Sequence, residues 1–141
     1  LLKPMAETLQ QLGSKQAWIV HGMDGIDEIS ISGTTKVVCL NDDKINSFEI
    51  NPDDAGLPSH SLSTIIGGSP AKNAIELKSL LNGKLSPYRD AVLLNSSAAL
   101  LVAGRVKTLK EGVDISANAI DSGATNQTLK LLVQLTKDIS K

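Results

Sequence analysis

Residues 20–28 contain side chains whose types and spacing suit metal binding or acid-base chemistry. They include one histidine, two glycines and three carboxylates, and they follow a short apolar run that predicts a buried strand. Loops at the ends of buried strands are common active-site positions. Asp27 and Glu28 are adjacent, and Mg²⁺ takes oxygen ligands, with one or two carboxylates usually sufficient beside phosphate oxygens and water. The pair is therefore a candidate magnesium site.

Chemistry alone leaves alternatives open for these side chains. Neighbours in an extended segment point to opposite faces, so both acids reach metal only if the backbone turns or if two ions lie on either side of Glu28. Asp27 and Glu28 could equally be solvated acids of an ordinary surface turn. His21 suits a general base, or a side chain that bonds a backbone carbonyl, and the sequence leaves its role open.

Two further segments have a chemical and a structural interpretation. The Gly67-Gly68-Ser69-Pro70 run could bind an anion through free amides, or could simply start a helix with Ser69 as its cap. Asn95 and the two serines after it could line a cleft or form hydrogen bonds within the core. No Walker-type or Gly-x-Gly-x-x-Gly phosphate motif occurs, and we predict no catalytic side chain within the sequence.

Composition excludes several classes of function. The 141 residues carry 14 basic and 15 acidic side chains, for a formal net charge of −1, and only 2% are aromatic. This balance argues against dedicated binding of nucleic acid or of a charged membrane surface. Cys39 is the only cysteine, which excludes an intrachain disulfide and suits the cytoplasm. Residues 91–103 form the longest apolar run, well short of the roughly 20 residues that span a bilayer.

Apolar spacing and turn residues predict one domain of strands followed by helices. We expect helices over residues 5–12, 70–81, 87–103, 108–120 and 129–139, with the third buried on nearly all sides. We expect strands over residues 17–20, 29–32, 37–40 and 45–50, the last two forming a hairpin. The prediction is an α/β fold with a mixed sheet and flanking helices.

Two motifs resemble the anthranilate phosphoribosyltransferase family. Residues 21–28 read His-Gly-Met-Asp-Gly-Ile-Asp-Glu, which is similar to its His-Gly-x-Asp-Gly-Leu-Asp-Glu signature. Residues 89–100 read Arg-Asp-Ala-Val-Leu-Leu-Asn-Ser-Ser-Ala-Ala-Leu, which resembles its buried helix. The Gly67-Gly68 run and the helix end near Gly123 match as well, so the resemblance covers essentially the whole chain.

The resemblance implies a metal site and a reaction. It implies that Asp27 and Glu28 hold two Mg²⁺ ions at a pyrophosphate group, with Glu28 bridging both and Asp27 on one. The substrates would be phosphoribosyl pyrophosphate and anthranilate, and the full-length parent would be a homodimer. The family's ribose-phosphate loop and anthranilate-contacting residues are not present, so we expect residues 1–141 to be the C-terminal part of the large α/β domain and inactive alone.

Two relatives on the same scaffold are the alternatives. A pyrimidine nucleoside phosphorylase would use phosphate as nucleophile, but the Asp27-Glu28 signature argues against it. A non-catalytic relative that binds nucleic acid would need a cluster of Lys and Arg, which the sequence lacks.

Overall fold

The described part of the chain folds into three strands and five α-helices. The computed structural model describes residues 1–139, so Ser140 and Lys141, the end of the predicted domain, lie outside the described residues. The strands are β1 (Gln16–Gly22), β2 (Thr35–Asn41) and β3 (Lys44–Ile50). The helices are α1 (Leu2–Gln11), α2 (Pro70–Leu81), α3 (Pro87–Val102), α4 (Leu109–Asp121) and α5 (Ala124–Ile139). Short 3₁₀ turns, Pro52–Ala55 and Leu62–Thr64, interrupt the long connection before α2.

The sheet has the order β1-β2-β3. Asn41 pairs with Lys44, which leaves Asp42 and Asp43 as a two-residue turn, with Asp42 at a φ of 50°. This confirms the predicted hairpin. The α/β class with flanking helices is also confirmed, but the sheet differs in one respect from the expected mixed type. Both strand pairs within residues 1–139 are antiparallel, because no crossover helix lies between consecutive strands.

The strand predicted over residues 29–32 is not formed, because side chains bond the backbone of this segment. The backbone of Ile29 is bonded by the side chain of Asn95, and the amide of Ser30 donates to the hydroxyl of Thr35. Side chains thus replace the partner strand that a ladder would need. Ile29 and Ile31 are buried as their alternation suggested, but the intervening Ser30 is buried too.

Hydroxyl caps start the helices where the sequence predicts them. Ser69 accepts from the Lys72 amide at 3.3 Å, so the cap interpretation of this helix start is confirmed. Thr108 accepts from the Glu111 amide at 3.2 Å. The Glu111 carboxylate in turn accepts from the amide of Lys107 at 2.8 Å, one residue before the position that a reciprocal capping box would use.

The main core lies between the sheet, the loop after β1, and helices α3 and α4. A smaller cluster of Ala6, Ile19 and Val38 holds α1 against the other face of the sheet. Helix α3 is less enclosed than predicted: Leu93, Leu94 and Ala98 are buried, while the opposite side lines an open apolar groove of about 480 Å³. Within the described part of the chain, no helix has the length and apolar character needed to cross a membrane.

Candidate metal centre

The loop that follows β1 turns sharply at Gly22. The Gly22 amide donates to the Ile26 carbonyl, and the Gly25 amide donates to the Gly22 carbonyl, both at 2.9 Å. A Cβ atom on Gly22 would lie 2.5 Å from the Ile26 side chain and 2.6 Å from the Asp24 carboxylate. Only glycine therefore permits this close approach of the loop to the end of the strand.

Asp24 organises the interior of the loop. Its Oδ2 accepts hydrogen bonds from the hydroxyls of Ser30, at 2.5 Å, and Ser32, and its Oδ1 accepts from the Ile26 amide at 3.3 Å. The hydrogen bond from Ser30, followed by that from Ser32, lowers the pKa of the Asp24 carboxyl from its usual value. The Asp24 carboxylate therefore stabilises the loop through hydrogen bonds to the loop's own residues.

Asp27 and Glu28 are both exposed and lie at the edge of a cleft between the loop and α3. The cleft encloses about 360 Å³. Its walls combine these carboxylates with apolar, aromatic and amide side chains: Ile26, Asp27, Glu28, Ile65, Tyr88, Ala91, Val92, Asn95 and Ser96. The structure therefore brings the predicted acidic pair to a concave surface.

The donor chemistry of the acidic pair fits Mg²⁺. Within residues 1–139, neither carboxylate is engaged in a hydrogen bond or ion pair with another protein group, so their oxygens are available. The same described residues contain no group of three or more His, Cys, Asp or Glu side chains placed to hold a metal. The pair could thus supply one or two ligands, and the remainder of the coordination shell would consist of water, substrate oxygens or groups outside this chain.

Asn95 connects α3 to the loop that follows β1 and contains Asp27 and Glu28, here called the acidic loop. Its Oδ1 accepts from the Ile29 amide, and its Nδ2 donates to the Ile29 carbonyl, both at 3.0 Å. The side chain also lines the cleft. Asn95 therefore lines the cleft and also forms hydrogen bonds, to Ile29 in the loop and to the Ala91 carbonyl in its own helix.

Neither His21 nor His60 lines the cleft beside the acidic pair. His21 is exposed on β1, at a position paired with Lys36 of β2. His60 has its Nε2 atom 2.7 Å from the Asp90 carboxylate of α3. Its backbone amide donates to the Ile31 carbonyl at 2.9 Å. His60 therefore fastens the connection before α2 to both the loop and α3.

Gly67 lines a second cleft of about 450 Å³, which shares Ile65 and Tyr88 with the first. The Gly68 amide donates to the Asn73 side chain at 2.8 Å, so it is not free for an anion. This geometry is that of a helix start and gives no separate support for phosphate binding there.

Both the sequence and the fold relate the chain to known proteins. Residues 1–126 match the model of the family described as glycosyl transferase family, a/b domain. An anthranilate phosphoribosyltransferase of Rhodopseudomonas palustris (strain BisB18) is 52% identical over 132 residues, which cover 94% of this chain and 39% of that protein.

Solved structures give the same relationship. An anthranilate phosphoribosyltransferase from Thermus thermophilus matches with a TM-score of 0.85 and 35% identity, over 94% of this chain and 39% of that one. The Saccharomyces cerevisiae enzyme in complex with PRPP and Mg matches with a TM-score of 0.84 and 26% identity, over 92% and 38% of the two chains. The chain thus spans about two fifths of the length of these relatives.

Proposed function

We propose that the chain, which belongs to the glycosyl transferase family (a/b domain), is part of an anthranilate phosphoribosyltransferase. Residues 1–141 would form the C-terminal part of the large α/β domain of that enzyme. The polypeptide proposed to contain these residues is called the full-length protein. The reaction would be transfer of a phosphoribosyl group from phosphoribosyl pyrophosphate to anthranilate with release of pyrophosphate, a step of tryptophan biosynthesis.

The observation that carries the proposal is the position of Asp27 and Glu28. Two exposed carboxylates without protein partners among the described residues lie together at the edge of a cleft, in a chain 52% identical to an enzyme named for this reaction. Carboxylates with free oxygens suit a hard cation that in turn binds a pyrophosphate group. Among the solved relatives, the Saccharomyces cerevisiae enzyme has been captured with PRPP and Mg, which supports the same ligands here.

In this proposal the acidic pair binds metal and does not transfer protons. Asp27 would hold one Mg²⁺ ion and Glu28 would bridge two. Bound Mg²⁺ supplies positive charge that neutralises the negative charge developing on the departing pyrophosphate oxygens. The loop fixed at Gly22 and Ile29 keeps the two carboxylates at the cleft, where the pyrophosphate would bind.

We further propose a cytoplasmic homodimer for the full-length protein. The absence of an intrachain cysteine pair in the sequence is consistent with a reducing compartment. Sedimentation of the full-length protein checks its subunit number directly.

A product assay with two substrate pairs tests the proposed reaction. The full-length protein, supplied with Mg²⁺, is offered phosphoribosyl pyrophosphate with anthranilate, and separately inorganic phosphate with thymidine. We expect phosphoribosyl anthranilate and pyrophosphate from the first mixture and no thymine from the second. Release of thymine without turnover of anthranilate would contradict the proposal and identify a nucleoside phosphorylase.

A further inference from the structure

Two fixed points bracket the acidic pair in the chain. On one side, the carbonyl of Ile26 accepts from the Gly22 amide at the end of β1, at 2.9 Å. On the other side, both backbone groups of Ile29 bond the side chain of Asn95 at 3.0 Å. Asp27 and Glu28 are the only residues between these points, so the two attachments determine where the carboxylates stand.

The hydrogen bonds between Asn95 and Ile29 join segments that are distant in sequence. Ile29 and Asn95 are 66 positions apart, and Asn95 lies in the middle of α3, whose apolar residues form part of the main core. The Ile29 side chain is itself 4% exposed in that core. Asn95 therefore holds the loop in a fixed position relative to α3, the well-packed helix beside the cleft.

The bonding pattern requires an asparagine. The Nδ2 group donates to the carbonyls of both Ile29 and Ala91, at 3.0 Å each, while Oδ1 accepts from the Ile29 amide. An aspartate at this position has no donor for the two carbonyls, and an alanine would leave all three backbone contacts without this partner. A loop outside any β-ladder has no neighbouring strand to replace them.

We propose that Asn95 is a positioning residue for metal binding, acting through the Ile29 backbone on Asp27 and Glu28. The inference rests on the proposed function of the acidic pair and adds a residue that touches neither metal nor substrate in that role. Groups that orient metal ligands from the second layer change metal affinity by about 10- to 100-fold when they are removed.

The test uses the full-length protein with Asn95→Ala, Asn95→Asp and a matched control, Asn126→Ala. Asn126 also bonds across the fold, from α5 to Asn82 at 3.2 Å, but lies outside the cleft. We expect both Asn95 variants to raise the Mg²⁺ concentration for half-maximal rate by about 10-fold or more, with most of the maximal rate recovered at saturating Mg²⁺. The control should keep the wild-type Mg²⁺ dependence.

Amide hydrogen exchange provides a readout that does not depend on activity. The Ile29 amide should be protected in the wild-type protein and exchange faster in both Asn95 variants, while the control leaves it unchanged. A freely exchanging Ile29 amide in the wild-type protein would overturn the proposal even if the variants failed to fold, as would an unchanged Mg²⁺ dependence in a folded Asn95 variant.

The two proposals fail in different ways. If substitutions of Asp27 and Glu28 abolish activity but those of Asn95 leave the Mg²⁺ dependence intact, only the positioning role is overturned. If the acidic substitutions have no effect, the proposed function of the pair fails, and the positioning role fails with it.

Discussion

Arg89 donates to both carboxylate oxygens of Asp121, with its Nη1 and Nη2 atoms at 2.7 and 2.9 Å. Arg89 is buried in the first turn of α3, and Asp121 is the last residue of α4. This paired geometry joins the N-terminal end of α3, the helix that lies beside the acidic pair, to the C-terminal end of α4. The hydrogen bond from Arg89 lowers the pKa of the Asp121 carboxyl, and the same bond raises the pKa of Arg89.

The Arg89–Asp121 pair predicts a pH-dependent contribution to stability. Because the pKa of Asp121 is lowered in the folded protein, its contribution is present above the ordinary aspartate value of about 4 and is lost as the pH falls through the lowered pKa. We expect Asp121→Asn to reduce the melting temperature at pH 7, with the difference from wild type shrinking in acid. A difference that is constant from pH 7 to pH 2 would contradict this prediction.

The loop serines should control the titration of Asp24. Ser30→Ala removes the hydrogen bond that contributes most to the lowered pKa of Asp24, so that pKa should rise toward its usual value. Ser32→Ala should raise it less. Carboxyl ¹³C chemical shifts followed against pH measure both effects, with Ser47→Ala on β3 as a control outside the loop. An unshifted titration in Ser30→Ala would show that the loop hydrogen bonds are not those described.

Close packing between α3 and α4 depends on Gly112. A Cβ at this position would lie 2.7 Å from the Cα of Ser97 and 2.9 Å from its carbonyl oxygen. Alanine is intrinsically better in a helix by about 1 kcal/mol, but the contact is with backbone, which cannot move aside locally. We expect Gly112→Ala to lower the free energy of unfolding by about 1–3 kcal/mol in urea titrations.

The exposed α4 residue Asn118 provides the matched control for that substitution. Asn118→Ala gains helix propensity without a new contact and should leave stability equal or slightly higher. If Gly112→Ala is as stable as Asn118→Ala, the two helices are not as close as described.

Local interactions made much of this fold predictable. Ser69 and Thr108 cap their helices through amides three residues away, and Asn41 and Lys44 close a hairpin across a two-residue turn. These interactions depend on neighbours in sequence, so spacing alone predicts them. The burial of Ile29 was predictable for the same reason, from its alternation with serine.

Contacts between distant segments account for what the sequence did not predict. The loop at Ile29 is bonded by Asn95, and His60 meets Asp90 from 30 residues away. No local pattern indicates which segments meet. The acidic pair itself was found as a motif, but the cleft beside it exists only because α3 lies against the loop.

The 141 residues alone should show no transferase activity, even with Mg²⁺ and both substrates. Metal-binding carboxylates accelerate transfer only when other groups hold the ribose and the attacking amine in line, and such positioning supplies roughly 7 to 11 kcal/mol of the barrier reduction. A coupled assay on the isolated chain, with and without the proposed N-terminal part added as a separate polypeptide, tests this. Turnover by the isolated chain, abolished by Asp27→Ala, would show that it holds a complete active site.

The Mg²⁺ dependence of a variant lacking both acids tests the central proposal most directly. The full-length protein with Asp27→Asn and Glu28→Gln is compared with Glu49→Gln, which changes an exposed acid on β3, across a Mg²⁺ titration. We expect the paired variant to lose at least about 100-fold in turnover at limiting Mg²⁺, because bound metal contributes several kcal/mol of charge stabilisation. The Glu49 variant should match wild type. Wild-type turnover by the paired variant at limiting Mg²⁺ would contradict the assignment of Asp27 and Glu28 as metal ligands.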